Sequence, residues 1–416
     1  MIFNLIVKHG LTAIKTVYVV ENGYNHFESK AIRTQAKRTG YQEHSVPLYL
    51  TSSFVFEDAE QARALFNDEV TGNIYSRFSN PNTSELIEKM CLLEGTEDGF
   101  ATASGMAAVF ASMGALLKTG DHILSGRAVF GSTHQLFTQV FPKWGIETTY
   151  VDADKPEEWE PAITDKTKVI YIETPSNPGL DLIDLEWLGA LAKKHGLILI
   201  VDNCFATPYV QQPAKFGANL VIHSATKYID GQGRTIGGII LGDQNLIDDI
   251  RFFCRHTGPS LSPFNAWVLS KSLETLALRM EKHCDSALRI AEYLAYHPEL
   301  ESVKYPFLPS HPQFELARKQ MSHGGGILTF VVNGGLERAT NFLDNLKWLS
   351  LSANLGDTRS IVTHPTTTTH SKLTEEERLA AGIKPGMIRL SVGLENVNDI
   401  LEDIEEALRA TKLVEA

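Results

Sequence analysis

Cysteine is scarce in this chain. The four residues Cys91, Cys204, Cys254 and Cys284 are scattered among 416, with no pair at zinc or redox spacing. This excludes the dense disulfide framework of small secreted domains, and it gives no reason to expect a metal site. We therefore expect a reducing, cytoplasmic location.

Basic residues are also in the minority. Lys and Arg number 38 against 50 Asp and Glu, which gives a formal charge of -12. Nucleic-acid binding depends on clustered cations that neutralise phosphates, so we expect no nucleic-acid partner. No low-complexity tract is present and 43% of the residues are hydrophobic, which excludes a disordered or fibrous chain.

Long apolar runs are missing as well. The stretch from Ile2 to Val20 is apolar in patches, but Lys8, His9 and Lys15 interrupt it and no small-residue cleavage site follows. It predicts neither a membrane-spanning helix nor a signal peptide. We interpret it as an extra arm or an overextended start, and we expect no membrane partner.

Short apolar runs that alternate with helical stretches dominate the first 250 residues. Such alternation predicts an α/β fold whose mostly parallel sheet is covered on both faces. The runs are 99–103, 122–124, 148–151, 169–173, 198–201, 220–223 and 238–241. Between two of them, Leu185 to His195 has helical spacing and is followed by Gly196 as a stop signal.

The pattern changes beyond about Arg255. One long helical stretch is predicted from Phe264 to Leu294, and strands at Ile327–Val332 and Met387–Val392 flank a helix near Leu336–Leu346. Strands and helices no longer alternate one for one, which predicts a smaller α+β C-terminal domain.

Polar side chains follow three of the predicted strands, where ligands bind in open parallel sheets. Asp202 follows one strand, Lys227 follows another, and a Ser104-Gly105-Met106 turn leads from a third into a helix. A helix start with free N-H groups suits a phosphate, and Ser224 and Thr226 could add hydroxyl donors.

These groups suit a pyridoxal-phosphate site. Asp202 could hold the pyridine nitrogen protonated, and Lys227 could form the imine and then act as acid and base. Each residue alone has a more ordinary interpretation: a lone Asp is often a cap, a lone Lys is usually solvated, and Ser-Gly commonly caps a helix. Their combination at three strand ends favours the cofactor site.

Together these residues resemble the cystathionine γ-synthase-like family of pyridoxal-phosphate enzymes, also called the Cys/Met metabolism family, from about Ser45 to the end. The resemblance implies the fold type I, aspartate aminotransferase-like architecture. It is carried by Tyr75-Ser-Arg-Phe-Ser-Asn-Pro-Asn82, Ala103-Ser-Gly-Met-Ala107, Glu173-Thr-Pro-Ser-Asn-Pro178, Val201-Asp-Asn-Cys-Phe-Ala-Thr-Pro208, His223-Ser-Ala-Thr-Lys-Tyr228 and Arg389-Leu-Ser-Val-Gly393.

The resemblance assigns roles. Lys227 would carry pyridoxal 5'-phosphate as a Schiff base, Asp202 would pair with the ring nitrogen and Arg389 would bind the substrate α-carboxylate. The remaining implied contacts are Ser104, Gly105, Met106, Ser224 and Thr226 around the phosphate, Asn177 near the ring oxygen, and Asn354 at the substrate. The implied domains are an N-terminal arm and inter-subunit segment (1–77), a cofactor-binding α/β domain (78–254) and the C-terminal domain (255–416).

Two further implications concern assembly and a departure from the family. Tyr75 and Arg77, in the long connection from Asp68 to Asn82, would reach the phosphate of a neighbouring subunit, so at least a dimer and typically a homotetramer is implied. The ring-stacking position, usually Tyr, is Phe130 here. Stacking survives this change, but a phenol proton-transfer role would have to move to Lys227 or another group.

Local features indicate which member is most similar. Gly231-Gln-Gly-Arg234 resembles the O-succinylhomoserine sulfhydrylases; Ala353 stands where cystathionine-handling members tend to have Glu, and Ser132 where methionine γ-lyases tend to have Cys. The implied reaction is γ-replacement on O-succinylhomoserine by sulfide, giving homocysteine and succinate for methionine biosynthesis. Arg234 could meet the succinyl carboxylate or could be structural.

Alternatives remain open. Within the family they are a cystathionine γ-synthase, in which cysteine replaces sulfide, and a γ-lyase that releases a keto acid. Outside the family, the alternatives are a serine hydrolase using Ser104 and a non-catalytic cofactor-binding module. The sequence before Ser104 lacks the first glycine of a nucleophile elbow, and a non-catalytic module would not account for Lys227 and Arg389.

Overall fold

The computed structural model describes residues 24–372, 374–380 and 382–412. The N-terminal stretch from Ile2 to Val20, and with it the predicted arm, lies outside the described residues.

The first sheet has seven strands, as the alternating apolar runs predict. They are β1 (Asp98–Thr102), β2 (His122–Gly126), β3 (Glu147–Val151), β4 (Thr167–Glu173), β5 (Ile198–Asp202), β6 (Leu220–Ser224) and β7 (Gly238–Gly242). Their order is β1-β7-β6-β5-β4-β2-β3, and only β7 runs antiparallel to its neighbours. The prediction of a mostly parallel sheet is confirmed.

The helices of this part of the chain are α1 (Phe27–Arg33), α2 (Ala59–Phe66), α3 (Pro81–Glu94), α4 (Gly105–Leu116), α5 (Gly131–Gln135), α6 (Pro156–Trp159), α7 (Leu185–His195), α8 (Thr207–Val210) and α9 (Gln244–Thr257). Of these, α4 and α9 pack on one face of the sheet and α7 packs on the other. A π-helical turn, Leu136–Val140, continues α5. Helix α7 has the predicted bounds because Asp184 caps its start and Gly196 adopts φ 63° at its end.

The C-terminal part carries a second, mixed sheet of five strands in the order β10-β11-β12-β9-β8. Its strands are β8 (Leu300–Lys304), β9 (Ile327–Val332), β10 (Ser350–Leu351), β11 (Ile361–Thr363) and β12 (Met387–Ser391). Its helices are α10 (Pro263–Leu273), α11 (Leu276–Leu294), α12 (Phe314–Gln320), α13 (Gly335–Asp344), α14 (Glu375–Ala380) and α15 (Val397–Ala410). The predicted α+β character is present, whereas the domain boundaries stay predictions.

The single helix predicted from Phe264 to Leu294 is wrong, because the structure divides it between α10 and α11. The carbonyl of Ser272 accepts hydrogen bonds from the Thr275 hydroxyl at 3.2 Å and the Arg279 guanidinium at 3.0 Å. Side chains thus satisfy a carbonyl at the end of α10, so the chain can turn there. None of the helices in the described part of the chain is long and apolar enough to cross a membrane.

Candidate active site

Two of the predicted site residues, Asp202 and Lys227, follow neighbouring strands of the seven-stranded sheet. Strands β5 and β6 are parallel neighbours with Asp202 in register with Ile222, and Lys227 follows the end of β6. Parallel strands place their carboxyl ends at the same edge, about 4.8 Å apart. The fold therefore brings Asp202 and Lys227 to the same edge.

Lys227 is partly buried and held by one neighbour. Its Nζ donates a hydrogen bond to Asn354 Oδ1 at 2.7 Å. Burial lowers the pKa of Lys227, and the charge of Arg389 lowers it further, while Cys204 opposes the shift. A lysine whose neutral form is favoured in this way is a better nucleophile toward an aldehyde.

Asp202 is enclosed by groups that stabilise its carboxylate only in part. Its Oδ1 accepts from the Cys204 backbone N-H at 3.0 Å, and its Oδ2 lies 3.4 Å from the Tyr171 hydroxyl. Burial raises the pKa of Asp202 to about 6, although the Cys204 N-H, the His223 charge and the Tyr171 hydroxyl each lower it. The carboxylate is thus prepared to pair with a buried cation such as a protonated pyridine nitrogen.

A second acid, Glu173, lies beside Asp202. It is buried at the end of β4, where its Oε2 accepts from the Phe130 backbone N-H at 2.8 Å. Burial and the neighbouring Asp202 charge raise the pKa of Glu173 well above its usual value. Glu173 is not among the site residues predicted from the sequence, although its place at a strand end is a signal that identifies it.

The helix α4 begins at the residues predicted to bind the phosphate, which we call the phosphate cradle. Ser104 adopts an extended conformation and its hydroxyl caps the helix by accepting from Ala107 N-H at 3.1 Å. A Cβ on Gly105 would lie 2.8 Å from the Ser224 Cβ, so the absence of a side chain lets the helix start approach β6. Ser104, Gly105 and Ser224 therefore meet around free N-H groups at a helix N-terminus.

Two other predicted phosphate contacts have additional partners. The Thr226 hydroxyl accepts from the Gly237 N-H at 3.2 Å and lies 3.3 Å from the Gly237 carbonyl. Met106 follows Gly105 and lines the adjoining cavity, where the Thr133 hydroxyl contacts its sulfur at 3.8 Å. Both residues lie near the cradle, and the hydrogen bonds of Thr226 also connect the cradle to the glycine-rich segment 231–238.

Arg389 lies on β12 of the second sheet and contacts Asn177 and Asn354. Only 2% exposed, it donates from Nη1 to Asn177 Oδ1 at 2.9 Å and from Nη2 to the Asn354 carbonyl at 3.2 Å and the Thr363 hydroxyl at 3.3 Å. Among the described residues its buried Nε has no hydrogen-bond partner. Burial lowers the pKa of Arg389 to about 10, partly offset by Tyr228 and Glu173. A buried guanidinium with an unused donor is suited to an anionic ligand.

A cavity of about 800 Å³ adjoins these groups. Phe130, Met106, Asn177 and Ala353 line it, so the predicted stacking residue faces the same space as the phosphate cradle and the Arg389 partner. Its size suits a small-molecule substrate.

Tyr75 and Arg77 do not line this cavity. Arg77 donates to the Arg255 carbonyl, lies 4.8 Å above the Phe78 ring and lines a different cavity, while Tyr75 is 41% exposed. Their predicted contact with the phosphate of a neighbouring subunit stays a prediction.

Arg234 is held by the protein itself. Its backbone N-H donates to Asp230 Oδ2 at 2.7 Å, its Nε donates to Asp230 Oδ1 at 3.1 Å, and its Nη2 contacts Ser272. Asp230 is fully buried, so Arg234 neutralises its charge. Of the two roles considered for Arg234, these contacts favour the structural one.

Both the sequence and the fold of this chain are similar to those of known proteins. Residues 28–409 match the Cys/Met metabolism PLP-dependent enzyme family. The O-succinylhomoserine sulfhydrylase of Pseudomonas aeruginosa is 46% identical over 92% of this chain and 95% of its own length. The L-methionine gamma-lyase of Porphyromonas gingivalis is 42% identical over 92% and 96%.

A solved structure from Campylobacter jejuni, a putative O-acetylhomoserine (thiol)-lyase with a pyridoxyl-lysine, superposes with a TM-score of 0.89 at 35% identity, covering 92% of this chain and 99% of its own. The chain belongs to the Cys/Met metabolism PLP-dependent enzyme family. It therefore has the fold type I architecture and uses pyridoxal 5'-phosphate.

The residues fit the cofactor of this family. The amine of Lys227, the acid of Asp202, the cradle that Gly105 leaves open and the unpartnered Nε of Arg389 face one region of the sheet edge. When bound, the pyridinium ring withdraws electrons from the substrate carbons. The protein has to supply orientation, charge pairing and proton transfer around it.

Proposed function

We propose that this family member catalyses γ-replacement on O-succinylhomoserine with sulfide, releasing homocysteine and succinate. The observation that carries the proposal is the presence of Ala353 in the cavity wall next to Asn354, which binds Lys227. A methyl group there offers no counter-charge to the distal ammonium of cysteine, and sulfide needs none. The similarity to O-succinylhomoserine sulfhydrylase supports the same substrates.

Each proposed role follows from a contact. The Arg389 guanidinium binds the α-carboxylate and Asn177 fixes its orientation through the 2.9 Å hydrogen bond. Asp202 holds the ring nitrogen protonated. Lys227, with its lowered pKa, takes the proton from Cα and returns protons to the neighbouring carbons, and Asn354 positions its amine.

Phe130 cannot transfer protons, because its ring has no hydroxyl. The ring lines the cavity, and the backbone N-H donates a hydrogen bond to Glu173. We therefore infer that one amine serves several successive proton transfers.

A γ-lyase is the second candidate, because methionine γ-lyases are 42% identical to this chain. It would use the same residues and would release a keto acid whenever no nucleophile arrives. A cystathionine γ-synthase would need a counter-charge for cysteine. Glu377 lines the cavity, but its carboxylate accepts from the Thr374 N-H at 2.8 Å in a helix cap.

The test is a product assay with three acceptors. Purified enzyme with O-succinylhomoserine receives sulfide, cysteine, both together or water alone, and homocysteine, cystathionine and 2-oxobutanoate are quantified. The proposal expects homocysteine to dominate when sulfide and cysteine are both present. Cystathionine as the main product, or keto acid at saturating sulfide, would contradict it.

The proposed assembly completes the site. Tyr75 and Arg77 of one subunit would bind the phosphate in a second subunit, in a homotetramer built as a dimer of dimers. The position of Arg77 at a separate cavity supports this role, and neither Tyr75 nor Arg77 lines the cavity of Phe130 within one chain.

A further inference from the structure

The wall of the cavity beside Phe130 has more basic than acidic side chains. Arg127 and Lys372 line it along with His134 and His370, and Glu377 is the acid among its lining residues. Burial lowers the pKa of His134, and it lowers the pKa of His370 to about 4 with help from the Arg389 and His134 charges. Both imidazoles are therefore mainly neutral near pH 7, and the positive charges in the cavity wall are those of Arg127 and Lys372.

Carboxylates near Arg127 leave part of its guanidinium unused. Its Nε donates to Asp152 Oδ1 at 2.5 Å, and Asp152 is shared with Lys155 at 3.5 Å. Within the described part of the chain, neither Nη group of Arg127 has a hydrogen bond. These two groups form the fork that binds a carboxylate side by side. Glu377, the acid in the cavity wall, is held in its own helix cap.

The strand order gives a rough separation between Arg127 and Lys227. Arg127 directly follows β2, whereas Lys227 follows β6, three places along in the order β6-β5-β4-β2. Three strand spacings amount to roughly 14 Å. An extended O-succinylhomoserine spans roughly 9 Å from Cα to its terminal carboxylate, which leaves roughly 5 Å for the Arg127 and Lys227 side chains.

From these contacts we propose that Arg127, assisted by Lys372, binds the distal carboxylate of the succinyl leaving group and so selects succinyl over acetyl esters. The inference rests on the proposed γ-replacement and identifies the residue that recognises the succinyl group of its substrate. An acetyl ester carries no second carboxylate and gains nothing from Arg127. Arg234, the other arginine considered for this role, is bound to Asp230.

The test compares two esters in Arg127→Gln, Arg127→Lys and the control Arg409→Gln, an exposed arginine in the C-terminal helix. For Arg127→Gln, kcat/KM with O-succinylhomoserine should fall about tenfold to hundredfold, the range expected for a charged hydrogen-bonded pair, with O-acetylhomoserine changed little. Arg127→Lys should recover part of the loss, and Arg409→Gln should match wild type.

A binding measurement separates this inference from the proposed function. Succinate and its neutral diamide, succinamide, are titrated into the cofactor-loaded enzyme by calorimetry. We expect Arg127→Gln to weaken succinate binding about tenfold or more and to leave succinamide binding unchanged. A wild-type enzyme that makes no homocysteine from any ester contradicts the proposed function. An unchanged ester ratio, an equal loss with both esters, or unaltered succinate affinity in Arg127→Gln overturns the role of Arg127.

Discussion

At the scale of single residues, substrate binding depends on Arg389. Its Nη groups are held by Asn177, Asn354 and Thr363, which fixes the plane of the guanidinium. Arg389→Lys keeps the charge but loses the fork, so we expect kcat/KM for any amino-acid substrate to fall about tenfold to hundredfold. Steady-state kinetics with both homoserine esters checks this, and an effect on only one ester would contradict it.

A second residue-scale prediction concerns Asp202 in the cofactor-free protein. Its pKa of about 6 lies above the unfolded value, so the folded chain binds more protons between about pH 4 and pH 6. Its contribution to stability therefore declines as pH rises through this window, and Asp202→Asn should remove that part of the dependence. Urea unfolding of both cofactor-free proteins measures it, and identical slopes would show that Asp202 does not titrate there.

The sequence identifies Asp202 and Lys227 because carboxyl ends of buried strands meet at one edge. The same rule would have found Glu173 and Arg127, which also end or follow strands. The Lys227–Asn354 hydrogen bond could not be predicted in this way, since it joins the two sheets across 127 residues. Such contacts depend on how the C-terminal part packs against the first sheet.

At the scale of elements, the start of α4 is the critical packing point. Gly105→Ala would place a Cβ 2.8 Å from Ser224 and push the helix start away from β6. We expect cofactor affinity to fall about tenfold or more, because overpacking typically costs about 1–3 kcal/mol. Equilibrium dialysis with pyridoxal phosphate measures it, and Gly40→Ala, which meets nothing within 4 Å, is the matched control. Equal affinity in both variants would contradict the cradle.

Element boundaries were predicted best where local signals are strong. Helix α7 has a capping Asp184 and a terminal Gly196, and its predicted and observed bounds agree. The break between α10 and α11 depends instead on Arg279 reaching back to Ser272, which periodicity alone does not reveal. The strand β11 is not predicted from the sequence, because its three residues, Ile361–Thr363, are too few to form a recognisable apolar run.

At the scale of the whole molecule, the proposed shared site predicts complementation between subunits. Lys227→Ala and Arg77→Ala each lose activity alone, yet a mixed dimer contains one site with both wild-type residues. Random mixing of unfolded and refolded subunits should restore about a quarter of the wild-type activity. Mixtures that stay as inactive as the two parents would contradict a phosphate contact across the interface.

The claim on which the whole account depends is that Lys227 carries the cofactor. Borohydride reduction of the purified enzyme, followed by peptide mass spectrometry, tests it directly. We predict a pyridoxyl adduct on the peptide that contains Lys227 and on no other lysine. An adduct at another lysine, or an unmodified Lys227 in reduced enzyme that still retains the cofactor, would contradict the account.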